Sequence, residues 1–380
     1  MVDLSDEQQM VLGAIRELAE ENFAEKACTW QEKTPWENVE LLAEHGFLGV
    51  NFDEEYGGGG MTDLEAMLTI EIVSRVCPDT GLFLNAQTMI GPRAIEMFGT
   101  ESAKQKYIPP VLNGEDAIAI AISEPNAGSD VPSMNTTVEE DRDGELVLNG
   151  EKTWVSDVPS SSASIVWVKF PDEGLGSIVV DLDAAGVEIG TEHTNMAGHP
   201  QTQLYFEDVA IPEANVLTRG GEGFKQQLIS LNWERLGNAA MITGKMAFAI
   251  DHALEYAGER EQFDQPIGEF QGIEWKLADM VKRYKTAQSI THQAAQNAIA
   301  NDSTPSRLDA SVATLYTSEI AERVVSEALQ IHGANGYQQG HPLEYLYRDI
   351  RGWRIGAGTD EIQKNQIAAV IKDGGLDHVV

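Results

Sequence analysis

The sequence predicts an α+β protein in three parts: a helical region over 1–114, a middle antiparallel β region over 115–221, and a C-terminal four-helix bundle over 222–380. Two changes of hydrophobic period carry that division. Apolar residues recur at helical spacing through the first third, at every second position from about residue 115, and at helical spacing again after Pro212. At 380 residues the chain also exceeds the size at which a single core keeps growing, so two or three domains are expected.

Each element has its own signal. Ser5 and Gln8 form a capping box ahead of Met10, Val11, Ile15 and Leu18, and helical patterns follow at 37–47, 62–76, 86–98 and 102–112. Gly57 to Gly60 read as a flexible turn rather than a phosphate loop, because no Lys-Ser/Thr pair follows them. Leu146 to Leu148, then Asn149-Gly150, then Lys152 to Ser156 read as a hairpin about a tight primed turn. Ser164–Phe170, Gly176–Leu182 and Gln203–Phe206 are further strands. Phe224 to Tyr256 is apolar around much of its circumference, as a bundle-core helix would be. Helices are expected again from Gly268 to about Ala300, from Pro305 through Leu329, and from Thr359 to Ile371, with Gly333 to Gly340 as an interruption.

Charge narrows the function. The chain has 61 acidic and 26 basic residues, a formal net charge of -35, which repels nucleic acid and anionic lipid alike. Neither nucleic acid nor membrane is therefore expected as a partner. The acid is dispersed in short clusters such as Asp53 to Glu55 and Glu139 to Asp141, a pattern that suits solubility in a salty, halophilic cytoplasm. Cys28 and Cys77 are too few for a disulfide framework, and the N-terminus lacks a signal pattern, so a cytoplasmic location is expected.

Standard motifs are missing. Neither G-x-G-x-x-G nor a Walker loop is present, the eight His are scattered without metal-ligand spacing, and no G-x-S-x-G elbow occurs, so no metal is expected. The most informative run is Ile120-Ala-Ile-Ser-Glu-Pro-Asn-Ala-Gly-Ser-Asp-Val131, an apolar strand turning into a loop of hydroxyls and freed amides. By composition alone it is a capped surface turn. Trp154 alone reads as a core aromatic, Arg260 between Glu259 and Glu261 as a surface ion pair, and Glu234-Arg235 as a solvated helix pair.

Taken together these runs resemble the acyl-CoA dehydrogenases over almost the whole chain. Ser-Glu-Pro-Asn-Ala-Gly-Ser-Asp-Val is similar to their flavin-contacting loop in its isovaleryl-CoA dehydrogenase form. Trp154-Val-Ser156 resembles their Trp-Ile-Thr segment, Arg260-x-Gln262-Phe263 with Phe270-Gln271 their R-x-x-F…F-Q signature, and Gln330 to Tyr337 their Q-x-x-G-G-x-G-Y turn. The resemblance implies FAD as cofactor, contacted by Ile120, Ile122, Ser123, Gly128, Ser129, Trp154, Ser156, Thr359 and Glu361. It gives Gln262, Phe263, Gln330, Gly333 and Ala334 as further FAD contacts, and implies that Arg260 and Gln271 reach a neighbouring subunit's FAD in a homotetramer.

Many members place a catalytic Glu where this chain has Ala357. Leu231-Asn-Trp-Glu-Arg-Leu236 instead matches the helical position from which the isovaleryl and long-chain enzymes project their base, so the resemblance gives that role to Glu234 and a backbone N–H role to Ala357. Ser129, Asn232, Arg235, Gly356 and Gly358 are the implied acyl-CoA contacts, and electron-transferring flavoprotein the implied acceptor. The rival readings are a flavin oxidase or monooxygenase on the same fold and a non-catalytic helical CoA-binding scaffold.

Overall fold

A computed structural model describes residues 4–375. In chain order, the first part holds α1 (Asp6–Asn22), α2 (Trp36–Glu44), α3 (Asp63–Val76) and α4 (Pro78–Asn85). A π-helical turn at Ala86–Ile90 leads into α5 (Gly91–Phe98) and α6 (Glu101–Leu112). The strands are β1 (Ile118–Ala121), β2 (Thr137–Glu140), β3 (Leu146–Val155), β4 (Ala163–Phe170), β5 (Gly174–Asp181), β6 (Val187–Thr194), β7 (Pro200–Ile211) and β8 (Val216–Thr218). Then come α7 (Gly220–Glu259), a hairpin of β9 (Glu261–Gln262) and β10 (Gln265–Pro266), α8 (Gln271–Ala300), α9 (Arg307–His332), α10 (Pro342–Gly352) and α11 (Asp360–Gly374). The α+β class holds. No helix among the described residues is long and apolar enough to cross a membrane.

These elements group into two units that do not follow chain order. The first comprises 4–31, 63–85 and 232–375 of the described residues, the second 32–62 and 86–231. In the first, α8, α10 and α11 pack on α9, while α1, α4 and α8 pack on α3. Ser5 Oγ accepts from Gln8 N at 3.2 Å and Gln8 Oε1 accepts from Ser5 N at 2.7 Å, so the capping box is present. The helix expected from Pro305 starts at Arg307 with Ser306 as its N-cap, because the Ser306 hydroxyl can accept from Asp309 N. From Arg235 to Ile250 every residue of α7 is buried, so these middle turns are covered on every side. One buried ion pair, Lys245 Nζ to Asp349 Oδ2 at 2.7 Å, ties α7 to α10.

The second unit is built on an eight-stranded sheet in the order β6-β7-β3-β2-β4-β5-β8, with β1 beside β4. Most pairs are antiparallel, but β1 and β2 each pair with β4 in parallel. Strand β4 is covered on both faces. Ile165 and Trp167 join a core with Tyr107 and Ile108, while Val166, Val168 and Phe170 join another with Leu148 and Leu204.

Two expectations are corrected. Asn149-Gly150 is no hairpin turn but the middle of β3, opposite an extra residue in β7 at Glu207-Asp208. Asn149 is satisfied in place, accepting from Asp208 N at 2.9 Å and donating to Asp208 Oδ1 at 3.2 Å. Gly150 is needed because a Cβ there would lie 2.6 Å from Thr136 Cα. The Gly57 to Gly60 turn is tightly packed rather than flexible: a Cβ on Gly58 would lie 2.1 Å from Phe52 O, and Gly59 N bonds Gly49 O at 2.8 Å. The expected interruption at 333–340 is followed by α10, and α4 and β6 also lie outside the sequence expectation.

A second irregularity positions the site. Between Lys152 and Val155, β3 carries two residues, Thr153 and Trp154, against one in β7. The Thr153 amide, freed from the ladder, donates to Ser123 O at 2.9 Å. Beside it Lys152 Nζ donates to Ile122 O at 3.0 Å and to Glu124 Oε1 at 2.9 Å. The Glu124 carboxylate also accepts from Asn135 N at 2.6 Å and Thr136 N at 2.9 Å. Burial works to raise the Glu124 pKa, but these donors hold it below its ordinary value. Burial lowers Lys152 to about 8, with Glu124 opposing. Both side chains are buried, at 0% and 3% exposure. Removing one member of such a pair strands the other's charge, whereas removing both does not. Lys152→Met should therefore cost about 3–5 kcal/mol in denaturant unfolding, and adding Glu124→Gln should recover part of it. A loss below about 1 kcal/mol in the single variant would show the pair to be dispensable.

Candidate active site

In the second unit the structure brings the two expected flavin segments together. Ile120, Ile122 and Ser123 are half-buried, while Gly128, Ser129, Trp154 and Ser156 are exposed. The backbone amides of Ile122, Ser123, Gly128 and Ser129 have no hydrogen-bond acceptor among the described residues. Trp154 is 57% exposed and sits at φ +59°, a left-handed conformation that a bulky residue adopts only when its surroundings impose it. The bulge in β3 imposes it, turning the indole out of the sheet. His193 lies beside it, with ring centroids 5.8 Å apart.

In the first unit a second group forms around α7. Asn232 and Arg235 are buried and Glu234 is half-buried. The Arg235 guanidinium donates to Ala357 O at 3.2 Å and to Asn232 Oδ1 at 2.9 Å. Gln363 Nε2 donates to Ala357 O and Gly358 O, each at 3.1 Å. With its carbonyl pulled inward, Ala357 takes φ +55°, and its own N–H donates to nothing among the described residues. Burial pushes the Glu234 carboxyl up to about 7, while Arg235 opposes the rise. Gly356 is exposed beside this group. Thr359 caps α11 through Ile362 N; the backbone amide of Glu361, acting most, and the Thr359 hydroxyl hold the Glu361 carboxyl below its ordinary pKa.

A third group lies elsewhere. Arg260, Gln262, Gln271, Gln330, Gly333 and Ala334 are exposed, and Phe263 is 88% exposed at the tip of the β9–β10 hairpin. Phe263 and Asp264 both have positive φ, +55° and +65°, as a two-residue primed turn requires. Tyr256 joins the two halves of the group: its carbonyl accepts from Arg260 N at 2.9 Å and its hydroxyl from Asn335 Nδ2 at 2.9 Å. Glu234 lies within α7 and Arg260 closes it, so the two are about 39 Å apart at 1.5 Å per residue. They cannot line one stretch of a single chain's site.

Sequence reasoning missed the groups that hold these residues. In the sequence Glu124 reads only as part of a loop and Lys152 as part of a hairpin, and a lysine in a strand carries no mark that it points inward. Gln363 and the Lys245–Asp349 pair were missed for the same reason.

The arrangement defines a kind of chemistry. A carboxyl raised toward neutrality near a free backbone donor suits proton abstraction beside a carbonyl. An exposed indole with free amides around it suits a flat ligand with polar edges. The models for the N-terminal, middle and C-terminal domains of acyl-CoA dehydrogenase match residues 5–115, 119–209 and 221–372. An acyl-CoA dehydrogenase of Bacillus subtilis is 33% identical over 98% of this chain and 99% of its own. The acryloyl-CoA reductase (NADH) of Anaerotignum propionicum is 34% identical over 96% and 94%. The caffeyl-CoA reductase–Etf complex subunit CarC of Acetobacterium woodii is 30% identical over 97% and 98%.

Among solved structures, butyryl-CoA dehydrogenase from Megasphaera elsdenii superposes with a TM-score of 0.89 at 29% identity, covering 98% of this chain and 100% of that one. An acyl-CoA dehydrogenase complexed with FAD from Bacillus anthracis gives 0.90 at 28% identity, covering 100% and 70%. The chain belongs to the acyl-CoA dehydrogenase family, FAD-dependent oxidoreductases of the CH–CH bond of acyl-CoA thioesters. The free amides of Ile122, Ser123, Gly128 and Ser129 and the exposed Trp154 fit that cofactor's polar edge and ring face.

The raised Glu234 pKa has a consequence for stability. Between its ordinary value and about 7 the folded state binds more protons than the unfolded one, so stability falls as pH rises through that window. Glu234→Gln should therefore raise the melting temperature of the cofactor-free protein by a few degrees at pH 8, with the gain vanishing below pH 4. Equal gains at both pH values would show that Glu234 is not held protonated by the fold.

Proposed function

We propose that the protein converts a short or branched acyl-CoA to its trans-2-enoyl-CoA, with Glu234 as the base that removes the α-proton. The observation that carries this reading is the Arg235 bridge, which fixes the residue next to Glu234 against the loop whose Ala357 amide is left free. That amide donates to the thioester carbonyl and stabilises the charge that develops on it as the proton leaves; because the donor is main chain, an alanine there serves as well as a glutamate. FAD, held by the free amides of Ile122, Ser123, Gly128 and Ser129 and by Trp154, would supply the acceptor for the β-hydrogen, which leaves as hydride. Gly356 and Ala357 leave room near the reacting carbons, which favours an acyl group branched there. Substrate closing over Glu234 removes it further from water and keeps its pKa near the working pH.

The separation of Arg260 from Glu234 along α7 supports a homotetramer in which Arg260, Gln262, Phe263, Gln271, Gln330, Gly333 and Ala334 serve a neighbour's FAD. Guanidinium suits a diphosphate, and Arg260 is exposed and available. Electron-transferring flavoprotein is the proposed acceptor, supported by the named association of the Acetobacterium woodii relative with Etf.

Glu234→Gln keeps size and hydrogen bonding but cannot take a proton. It should retain FAD and slow anaerobic flavin bleaching by acyl-CoA about 10²–10⁴-fold. In the parent enzyme that rate should fall as pH drops through about 7, as Glu234 becomes protonated. Bleaching at the parent rate in the variant would place the base elsewhere.

Salt should govern assembly. Each chain carries a formal charge of -35, so lowering the salt should dissociate the tetramer and release flavin in the same step, followed by light scattering and absorbance. A yellow monomer at low salt would refute the shared site.

A further inference from the structure

Asn85 and Asn238 are two uncharged amides in the interior of the first unit, at 0% and 1% exposure. A single hydrogen bond, Asn85 Nδ2 to Asn238 Oδ1 at 2.7 Å, joins them. The remaining acceptor on Asn85 and the remaining donor on Asn238 have no partner. Exchanging the amide nitrogen and oxygen of both residues leaves the same result, one donor and one acceptor free. Buried polar atoms are rarely left so, because each forfeits its bonds to water and gains nothing in return.

Their position gives the orphaned pair a use. Asn238 follows Glu234 by four residues on α7, so the two side chains share one face of the helix, about 6 Å apart along its axis. Asn85 is the last residue of α4, where the chain leaves α-helical geometry for the π-helical turn, a local form often found at functional sites. The cations along this part of α7 are already engaged: Arg235 on Ala357 O and Asn232, Lys245 on Asp349.

We propose that Asn85 and Asn238 form the distal wall of the acyl site and select chains bearing a neutral hydrogen-bonding group, a hydroxyl above all, a few carbons beyond the α-carbon. This rests on Glu234 being the base. A hydroxyl can donate to Asn85 Oδ1 and accept from Asn238 Nδ2 at once, satisfying both orphans. A purely aliphatic chain satisfies neither. A carboxylate would meet the Asn85 carbonyl oxygen without a cation to compensate it.

The test uses the FAD-loaded enzyme and anaerobic flavin bleaching with matched thioesters: butyryl- and valeryl-CoA, γ-hydroxybutyryl- and δ-hydroxyvaleryl-CoA, and glutaryl-CoA. At least one hydroxylated chain should exceed its aliphatic counterpart in kcat/KM by about tenfold or more, and glutaryl-CoA should be poor. The near-isosteric pair Asn85→Leu with Asn238→Leu should reverse the preference. Should that variant fail to fold, the parent ratio decides alone. Aliphatic chains equal to or better than hydroxylated ones would overturn the inference and leave the dehydrogenase reading standing, and so would glutaryl-CoA as the best substrate. If no thioester bleaches the flavin, the reading fails and the inference with it.

Discussion

The arrangement of the helical unit depends on Arg235. Its guanidinium, at 3% exposure, holds the Ala357 carbonyl and the Asn232 side chain, and its own carbonyl accepts from Thr314 Oγ1 of α9 at 3.0 Å. One residue thus fastens α7, α9 and the loop before α11. The fork of a guanidinium suits this because it offers several donors in fixed directions. A lysine at the same place would supply charge without the geometry. The strained backbone of Ala357 is sustained by this bond and by Gln363, which explains how a non-glycine residue stays left-handed there.

A chain so poor in cations places several of them inside. Lys152, Arg235 and Lys245 are buried at 1%, 3% and 0% exposure, each against an acceptor contributed by another segment. Surface acid and buried base therefore have separate roles. The acid sets how the molecule meets salt and other molecules, while the few internal cations fix segment against segment. Salt screens exposed charges readily and buried pairs much less, so the internal fastenings keep their strength over a range that alters the surface greatly.

Legibility in the sequence followed locality. The capping box at Ser5, the long apolar pattern of α7 and the alternation in β4 and β5 depend on neighbours in the chain, and they were readable. The candidate site residues were readable only as a pattern shared with a family, since nothing local distinguishes Glu234 from a solvated helix glutamate. Asn149-Gly150 misled because a dipeptide that favours a turn also suits a strand facing a bulge, and the deciding partner, Asp208, lies 59 positions away. Separation along the chain likewise hid Lys152 and Glu124, Asn85 and Asn238, and Arg235 and Ala357: each is half of a contact whose other half is remote in sequence.

The irregularity at Thr153-Trp154 makes the outward aim of the indole a matter of counting. In a strand, side chains alternate strictly, so a shift of one residue exchanges the two faces. Lys152 and Val155 both point inward only because two residues intervene where the partner strand has one. Loss of a single codon here would restore regular pairing and improve the sheet as a sheet. It would also reverse the orientation of everything upstream or downstream of it, either swinging Lys152 away from Glu124 or drawing Val155 out of the core. Substitutions along β3 can be graded in their effects; insertions and deletions at this point cannot. The lineage should therefore tolerate drift in the identity of these residues far more readily than any change in their number.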